Sequence, residues 1–472
     1  MHRGRPSDPE NFPLPPYHRA QSVESIKKRL IRGGGWAVAG KGLLGVVALA
    51  INALLTRLLS PDEIGIYFLL FSFVSVLALA AQAGMNQAVV RLVAEALGSG
   101  NRHMVISTIR SAFLLVAATT LLLCAIFVGG GAAWVSSWIF HLTLPNEVIY
   151  MAAAWIAACT FRSLIAETFR GLHDIKHASL FEGLLDGLVF CFLLGALYVF
   201  YSRSDLQQVI LLAIAASCLN IFIASIILRE KLKTSPVSAT GFEHPHKTSQ
   251  IISTAWPLWV TSITLFALSQ TDLWIMGMLR EQSEVGVYGA VKKLAVLVSM
   301  PLLITNSVVP PLIAELNTRD EHKKLEWTLR TTATVAALPA FVALVLLIFS
   351  AEPILSTIYG EYYTAGASIL VALSAAQLVN VWSGSCGYVL IMTGHQVAMM
   401  KISILCSMIS IALAFYLIPG FGGLGAAVSV SVALVIQNLL MLFAVRRYLG
   451  IWTHFDIRLI YQQFFALRSR TP

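Results

Sequence analysis

The second half of the chain repeats the first about 221 positions later, and both halves consist mostly of long apolar runs. The segment from Arg57 to Tyr67, RLLSPDEIGIY, is echoed by the segment from Arg280 to Tyr288, REQSEVGVY, so each Gly-apolar-Tyr step falls 221 positions after its counterpart. Val93-Ala-Glu95 and Ile313-Ala-Glu315 are related by nearly the same offset. A membrane protein made of two like bundles is suited to forming a cavity between them and rocking around it.

Twelve apolar runs are each long enough to cross a bilayer as a helix. Hydrophobic residues make up 57% of the chain and charged residues 12%, against about 25% charged in soluble domains. About 20 apolar residues span the hydrocarbon core. The sequence therefore predicts an all-α integral membrane protein with about twelve transmembrane helices, six in each half, at residues 36–58, 64–86, 106–130, 148–170, 177–200, 207–228, 253–279, 286–309, 330–350, 366–391, 399–419 and 424–445.

The basic residues are concentrated on one side of these spans. With the N-terminus inside, 26 of the 33 Lys and Arg residues fall in cytoplasmic segments, and only Arg57, Arg203 and Arg280 fall in outer loops. This asymmetry predicts that both termini are cytoplasmic. It also explains the net charge of +9 by contact with anionic inner-leaflet lipid, so no nucleic-acid partner is expected. The predicted organisation is a basic, proline-rich tail (1–35), a six-helix bundle (36–230), a linker (231–250), a second bundle (251–448) and an amphipathic interfacial tail (449–472).

The connections between the spans leave no room for an extramembrane catalytic domain. Neither a GxxxxGK[ST] phosphate-binding loop nor a dinucleotide fingerprint is present. Five histidines are scattered at helix ends without metal-ligand spacing, namely His103, His141, His173, His177 and His395, and the six cysteines all lie inside predicted spans. We therefore expect no catalytic residue, no metal site and no cofactor.

The connection between the first two spans predicts a sharp elbow at the outer surface. Ser60, Pro61 and Glu63 have the arrangement of a capping box with proline at the first helical position. Gly65 is expected to permit close helix approach, and Tyr67 is expected at the headgroup level.

The order of these motifs resembles the polysaccharide transporters of the multidrug/oligosaccharidyl-lipid/polysaccharide exporter superfamily, the O-antigen and exopolysaccharide flippase-like proteins. The resemblance rests on Asn52 to Tyr67, on Gly84-Met-Asn86 with Val90-Arg91, on Arg170-Gly-Leu-His-Asp174, and on twelve spans over about residues 30–450. It implies a V-shaped pair of six-helix bundles, with both termini inside, in a bacterial plasma (inner) membrane.

The same resemblance implies a function. Proteins of this family move a polyprenyl-diphosphate-linked oligosaccharide from the inner to the outer leaflet, for surface or exopolysaccharide biosynthesis. The implied partners are this lipid-linked glycan and membrane lipids, with a coupling ion (proton or sodium) and polysaccharide assembly machinery as further candidates.

Two lysines lie deep in the eighth predicted span, where an ionisable group costs at least about 2.5–3.5 kcal/mol and usually faces a cavity or a partner. Lys292 shares a helix face with Ser299 and Asn306, whereas Lys293 is turned by about 100 degrees from it. Periodicity therefore favours Lys292 for the lumen. Asp272 is predicted at nearly the same depth on the seventh span, either as a structural partner of Lys292 or Lys293, or as a site where the pair opens to accept a phosphate or a proton.

Further ionisable residues are predicted inside the first bundle. Lys41 on the first span either faces the substrate or extends its ammonium to the cytoplasmic surface. Arg162 on the fourth span lies between Glu182 and Asp186 in predicted depth, either as their structural partner or as a diphosphate ligand. In the second case Asp186 or Glu182, like Asp272, is a candidate for ion coupling.

A diphosphate needs a hydrated cavity with a few cations, and its sugars need hydrogen-bonding groups. We expect Lys41, Arg162 and either Lys292 or Lys293 to supply the cations. The candidate sugar contacts are four amides, Asn52, Asn306, Gln377 and Asn380.

Two alternatives remain open at the level of sequence. A multidrug and toxic-compound cation antiporter of the same superfamily would favour an acidic cavity, and the deep cations argue against it. A membrane glycan polymerase or glycosyltransferase would carry a sizeable outer loop with catalytic groups, and the predicted outer loops are short.

Overall fold

The computed structural model describes residues 23–98, 102–201, 203–234, 269–456 and 458, together with positions 259, 262, 263 and 266. Within these residues every regular element is a helix. The first half contains α1 (Val23–Leu58), α2 (Pro61–Ala81), α3 (Met85–Gly98), α4 (Arg102–Ile126, extended by π-helical turns to Ile139), α5 (Asn146–Gly171), α6 (Ile175–Phe200) and α7 (Leu206–Thr234). The second half contains helical residues 269–279, α8 (Gln282–Thr305), α9 (Val309–Thr318), α10 (His322–Tyr359), α11 (Ala367–Ser383), α12 (Cys386–Met392) and α13 (Gln396–Leu449).

The helices confirm the predicted spans. Among the described residues, nine helices are long and apolar enough to cross a membrane. The 54 residues of α13 would measure about 80 Å if straight, but the backbone turns sharply at Gly422, with φ 55° and ψ −133°. Helix α13 therefore supplies the two last spans, while the apolar part of α1 (Gly42–Leu58) and residues 269–279 lie at the first and seventh.

The elbow between α1 and α2 has the predicted capping box. The backbone N–H of Ser60 donates to Glu63 Oε2 at 2.9 Å, and the Ser60 hydroxyl accepts from the Glu63 N–H. Pro61 is the first residue of α2. Tyr67 is buried and stacks on Phe71 with ring centroids 6.2 Å apart, and its place at the headgroup level stays a prediction.

The repeat is also visible in two short helices at the inner ends of the bundles. Helix α3 follows α2, and α9 follows α8, at positions that match the 221-residue offset. The echoed Val-Ala-Glu and Ile-Ala-Glu sequences lie on these two helices. Glu95 forms an ion pair with Arg91 on the same helix, and Glu315 forms one with Arg319, which directly follows α9. The sequence predicts neither helix, because 14 and 10 residues are too few to span a membrane.

The ends of the chain are described only in part. Helix α1 begins at Val23 and runs without a break into the first span, so residues 23–35 are helical. The tail 1–22 and most of the linker, 235–250, lie outside the described residues, as do 459–472. Residues 451–456 are not helical, unlike the expected amphipathic tail, because they pack along the second bundle, with Thr453 fully buried and Asp456 paired with Arg330 at 2.8 Å.

Candidate functional site

A buried ionic cluster joins the seventh span to α8. Asp272 is 6% exposed, and its Oδ2 accepts a hydrogen bond from the Lys292 ammonium at 2.5 Å and from the Tyr288 hydroxyl at 2.6 Å. A carboxylate inside a membrane protein needs such partners, because an unpaired buried charge is strongly destabilising. The predicted pairing of Asp272 with Lys292 is therefore present. The other carboxylate oxygen, Oδ1, is buried and has no partner among the described residues, so the cluster retains one acceptor position.

The adjacent lysine has a different environment. The Lys293 ammonium lies 5.5 Å from the centre of the Phe71 ring, on α2 of the first half. Lys293 is exposed, and within the described part of the chain it makes no hydrogen bond and no ion pair. At 1.5 Å per residue it lies about 16 Å along α8 from the outer end. Lys293 is thus a cation at mid-membrane depth that faces the opposite half, whereas the side chain of Lys292 is 29% exposed and already paired.

The first bundle contains a second polar centre, between α5, α6 and α7. One terminal nitrogen of Arg162, Nη1, donates to Asp186 Oδ2 at 2.9 Å and to the backbone oxygen of Glu182 at 3.2 Å. The Ser217 hydroxyl donates to the other Asp186 oxygen at 2.8 Å. The predicted Arg162–Asp186 pair is therefore present. The Glu182 carboxylate instead bonds Arg170 at 2.9 Å, closer to the inner surface.

A π-helical turn at Leu180–Leu184 positions this second centre. Such a turn interrupts the regular hydrogen-bond ladder of a helix and is frequent at functional sites. Here two of its backbone oxygens accept bonds from side chains of neighbouring helices, Glu182 from Arg162 and Phe181 from the Asn220 amide at 3.2 Å. The irregular backbone therefore fixes the guanidinium beside Asp186.

The structure does not gather the four predicted sugar-contacting amides into one group. Asn52 is buried and bonds the Ala48 oxygen of its own helix at 2.6 Å. Asn306 accepts from the Ser385 hydroxyl at 2.6 Å. Gln377 and Asn380 lie together on α11, 3.2 Å apart, and both are partly exposed. The backbone of Lys41 lies in α1, and its side chain is outside the described part of the structure.

The outer ends of the two halves are closed against each other by glycines. A Cβ on Gly65 would lie 1.9 Å from the Gln282 oxygen, and a Cβ on Gly286 would lie 2.5 Å from the Pro61 oxygen. Both glycine positions and both oxygen-bearing positions are 221 residues apart, so the two contacts are equivalent under the repeat. The close approach predicted for Gly65 is therefore confirmed, and it occurs where α2 of one half crosses α8 of the other.

Two tryptophans add contacts across the same seam. The Trp274 indole N–H donates to the Ser72 hydroxyl at 2.8 Å, and its ring stacks on Phe73 with centroids 4.9 Å apart. Nearer the inner end, the Trp259 indole N–H donates to the Ala80 oxygen at 2.9 Å. Hydrogen bonds from the seventh span thus hold α2 at two levels.

A charged cluster lies at the inner surface between α5, α6 and α7. Asp174 bonds the Lys231 ammonium, the His177 ring at 2.7 Å and the His177 backbone N–H at 3.2 Å. Burial alone would raise the pKa of Asp174, but these hydrogen bonds outweigh it and lower the pKa to about 2. Asp174 therefore stays ionised at all physiological pH values and ties α7 to the turn between α5 and α6.

Sequence reasoning missed the residues that complete each centre. In the sequence Tyr288 stands out only as part of the repeat, and the functional candidates include none of Phe71, Ser217 and Asn220. The spacing of Ser217 and Asn220, three residues apart in an apolar span, is a signal for one polar helix face. Phe71 carries no such signal, because its partner Lys293 comes from the other half of the chain.

Solved structures share this fold. An inward-facing multidrug resistance MATE family transporter of the MOP superfamily matches with a TM-score of 0.70 and 13% identity, over 86% of this chain and 94% of its own. The lipid II flippase MurJ in an inward closed conformation matches with a TM-score of 0.66 and 14% identity, over 92% and 93%. A MOP superfamily transporter from Pyrococcus furiosus, whose structure is described as having a binding pocket of reverse polarity, matches with a TM-score of 0.59 and 12% identity, over 90% of this chain and 96% of its own. The twelve-span, V-shaped fold of two six-helix bundles is thus confirmed.

Family models and a curated relative agree with the fold. A model described as "Polysaccharide biosynthesis protein" matches residues 30–317, and the MatE model matches residues 257–416. The protein named "Probable low-salt glycan biosynthesis flippase Agl15" from Haloferax volcanii is 23% identical over 184 residues, which is 38% of each chain.

The chain is a multi-pass membrane protein with the fold of transporters of the MOP superfamily. Within that class, the chain belongs to the polysaccharide biosynthesis protein family, whose model covers more than half of its length. The proteins named above are transporters and flippases, and none of them is a glycan polymerase or glycosyltransferase.

Proposed function

We propose that this protein flips a polyprenyl-diphosphate-linked oligosaccharide from the inner to the outer leaflet by alternating access. The observation that carries the proposal is the cation of Lys293, at mid-membrane depth, unpaired among the described residues and directed at the opposite half. A charge at this depth is expensive and is usually retained for a functional partner. A diphosphate crossing between the halves is a partner of the required sign.

The names of related proteins support a glycan substrate. Agl15 is named as a glycan biosynthesis flippase and MurJ as a lipid II flippase. The proposed substrate therefore has a charged, glycosylated headgroup that passes between the bundles and a polyprenyl tail that stays in lipid. Surface or exopolysaccharide biosynthesis in a bacterial inner membrane, alongside polysaccharide assembly machinery, is the setting we propose for it.

Within this proposal Lys293 contacts the diphosphate first, and Lys292 joins it when the Asp272 pair opens. Arg162 is the proposed cation of the first bundle, and Lys41 the proposed cation of α1. The four predicted amides are proposed to contact sugars, with Gln377 and Asn380 the best placed, because they are partly exposed and lie together.

Asp272 is the proposed coupling site for a proton or a sodium ion. Its Oδ1 has no partner in the described structure, and its Oδ2 holds Lys292. Neutralising this carboxylate would release the Lys292 ammonium toward the substrate, which links ion binding to substrate binding. Asp186 has both oxygens occupied, and Glu182 lies closer to the inner surface, so both are weaker candidates for coupling.

A second candidate is a multidrug antiporter, favoured by the TM-score of 0.70 with the MATE transporter and by the MatE match. A cationic drug would need an accessible carboxylate. The two deep carboxylates whose bonds are described above, Asp272 and Asp186, are both engaged by cations. The unpaired Lys293 favours an anionic substrate over this alternative.

Deletion of the gene in its host tests the proposal. The deletion strain should accumulate the polyprenyl-diphosphate glycan and lose surface polysaccharide, and a plasmid copy should restore both. An unchanged lipid-linked pool with normal surface polysaccharide would reject the function. Loss of resistance to cationic drugs alone would favour the antiporter.

Lysine variants of the plasmid copy locate the substrate cation. Lys293→Ala and Lys292→Ala should each fail to complement the deletion at normal protein level. Full activity of either variant removes that lysine from the mechanism.

A further inference from the structure

Two crevices open at the outer surface, one on each side of the closed seam between the halves. The first has a volume of about 730 Å³ and is lined by Thr56, Arg57, Tyr198, Val199, Tyr359 and Gly360. The second has a volume of about 810 Å³ and lies between the seventh span, the start of α8 and the turn after α4. The 221-residue offset maps Thr56 and Arg57 onto Gly277 and Met278, both of which line the second crevice. The two crevices therefore share this pair of positions under the repeat.

Their charges are opposite. The first crevice has Arg57 and no carboxylate among its lining residues. In the second, Asp62, Glu281 and Glu284 outnumber Arg280, which is itself bound by both Glu284 oxygens at 2.8 and 2.9 Å. An anion leaving the space between the halves would therefore meet attraction on one side and repulsion on the other.

Most donors of Arg57 remain available. In the described structure its guanidinium makes one hydrogen bond, from Nη2 to the Thr357 oxygen at 2.8 Å, and no ion pair. A guanidinium carries five N–H donors in a planar fork that matches phosphate oxygens. Tyr359, in the same crevice wall, has a buried hydroxyl with no partner in the described structure. Because the Tyr359 hydroxyl is buried, the charged fork of Arg57 is the group of these two residues that the crevice presents to a ligand.

Apolar surface adjoins this cation. Val199 lines the crevice and is 78% exposed, and Phe200 beside it is 80% exposed. Arg57, Val199 and Tyr359 all lie within one or two residues of the outer ends of their helices. A headgroup at Arg57 would therefore have its tail against exposed apolar side chains at the level of the outer leaflet.

We propose that the Arg57 crevice binds the diphosphate of a polyprenyl lipid in the outer leaflet, so that the substrate leaves the protein on this side of the seam and not on the Arg280 side. This inference rests on the proposed flippase function and adds to it a direction of release. The anchoring of the lipid is local to the crevice and does not involve Lys293.

A local cross-linking experiment tests this site. Benzoylphenylalanine is introduced in place of Val199 in the first crevice, or of His141 in the second, in the full-length protein in phosphatidylcholine nanodiscs. Radiolabelled polyprenyl diphosphate is the probe. We expect strong labelling from position 199, little from position 141, and a loss of about tenfold with Arg57→Gln, the effect of removing a charge-assisted hydrogen bond. Arg280→Gln is the matched control and should leave the labelling unchanged.

Other outcomes overturn the site. Labelling that survives Arg57→Gln, or that falls equally with Arg280→Gln, rejects the role of Arg57. Competition by inorganic diphosphate as strong as that by unlabelled polyprenyl diphosphate rejects a lipid ligand, and equal competition by phosphatidylglycerol rejects a diphosphate-selective one. Arg57→Lys, which keeps the charge but not the fork, should retain part of the labelling if the variants fold.

Transport by the same proteins without benzoylphenylalanine, measured in proteoliposomes, separates this inference from the proposed function. Suppose that the wild type moves the lipid-linked glycan, and that Arg57→Gln changes neither the labelling from position 199 nor transport. The proposed crevice site is then wrong and the proposed function stands. If the wild type moves no lipid-linked glycan but labelling depends on Arg57, the function is wrong and the crevice stands.

Discussion

Replacing Gly65 by alanine should open the outer seam. The added Cβ would lie 1.9 Å from the Gln282 oxygen, whereas carbon and oxygen atoms in contact are roughly 3.3 Å apart, near the packing optimum for non-bonded atoms. The outer ends of α2 and α8 must therefore separate by somewhat more than about 1 Å. Overpacking of this kind costs about 1–3 kcal/mol, which corresponds to a shift of about 5- to 150-fold in the balance between closed and open forms.

Accessibility from outside measures this shift. A single cysteine in place of Phe71, in a variant lacking the native cysteines, lies beside Lys293 between the halves. Its reaction with a membrane-impermeant thiol reagent added outside should be faster in Gly65→Ala by a factor within this range. The helix itself should tolerate the change, since alanine has a higher helix propensity than glycine by about 1 kcal/mol.

Two controls isolate the steric effect. Gly195→Ala places the same methyl group on α6, where a Cβ meets nothing within 4 Å, and should leave the reaction rate unchanged. Gly286→Ala should accelerate the reaction as Gly65→Ala does. The free-energy effect of the double variant should be smaller than the sum of the two single effects, because one separation of α2 from α8 relieves both contacts. A wild-type rate in Gly65→Ala, or an equal acceleration in Gly195→Ala, would refute the reasoning.

Three further predictions concern charges. Lys293→Ala should weaken binding of a polyprenyl diphosphate at the central site by about tenfold or more, measured by competition in nanodiscs, while Lys293→Arg should keep most of it. Asp272→Asn should lower the thermal midpoint, because it removes the counter-charge of the half-buried Lys292 ammonium; the loss should be smaller than the about 3–5 kcal/mol of a fully buried pair. Asp272→Asn with Lys292→Met should recover part of it, and an unchanged midpoint in the single variant would contradict the pairing. Since the pKa of Asp174 is lowered to about 2, its contribution to stability is complete above about pH 4 and is lost as the pH falls toward 2, so Asp174→Asn should flatten the acid limb of a stability–pH curve and lower stability at pH 7 by about 1 kcal/mol after solvent screening.

The sequence predicts the helical scaffold well, because the scaffold depends on apolar patterning and turn chemistry, and both are visible in the repeat. Twelve spans, the capping box at Ser60 and the close approach of Gly65 all follow from local sequence, and the structure confirms them. The 221-residue spacing even relates the reciprocal contacts of Gly65 and Gly286, although it could not show that these two glycines meet across the seam.

The charged centres are harder to predict, because they lie where the halves differ. The offset maps Asp272 onto Ile51 and Lys292 onto Phe71, so neither member of this ion pair has a counterpart in the first half. Helical periodicity ranked Lys292 above Lys293 for the lumen. Periodicity within one helix does not include contacts with neighbouring helices. In the structure Asp272 of the adjacent span forms an ion pair with Lys292, and Lys293 faces the first half.

The geometry around Arg162 depends on the π-helical turn at Leu180–Leu184, which the sequence pattern does not predict. Depth counting placed Arg162 between Glu182 and Asp186, and the structure pairs it with Asp186. The π-helical turn in α6 shifts the register of its residues, so that Glu182 offers Arg162 its backbone oxygen while its carboxylate meets Arg170. Depth along a helix also does not fix the direction of a side chain around the helix axis, and for this reason the four predicted amides do not form one group.

The most direct test of the account is the transbilayer movement of its substrate. Purified protein in proteoliposomes would receive a polyprenyl-diphosphate-linked oligosaccharide in the inner leaflet, and its arrival outside would be followed by cleavage with an impermeant glycosidase. The account predicts movement by the wild type, with a rate reduced at least about tenfold in Lys293→Ala, the loss expected from removing one charge-assisted contact. Equal rates in protein-free liposomes, in the wild type and in Lys293→Ala would contradict it.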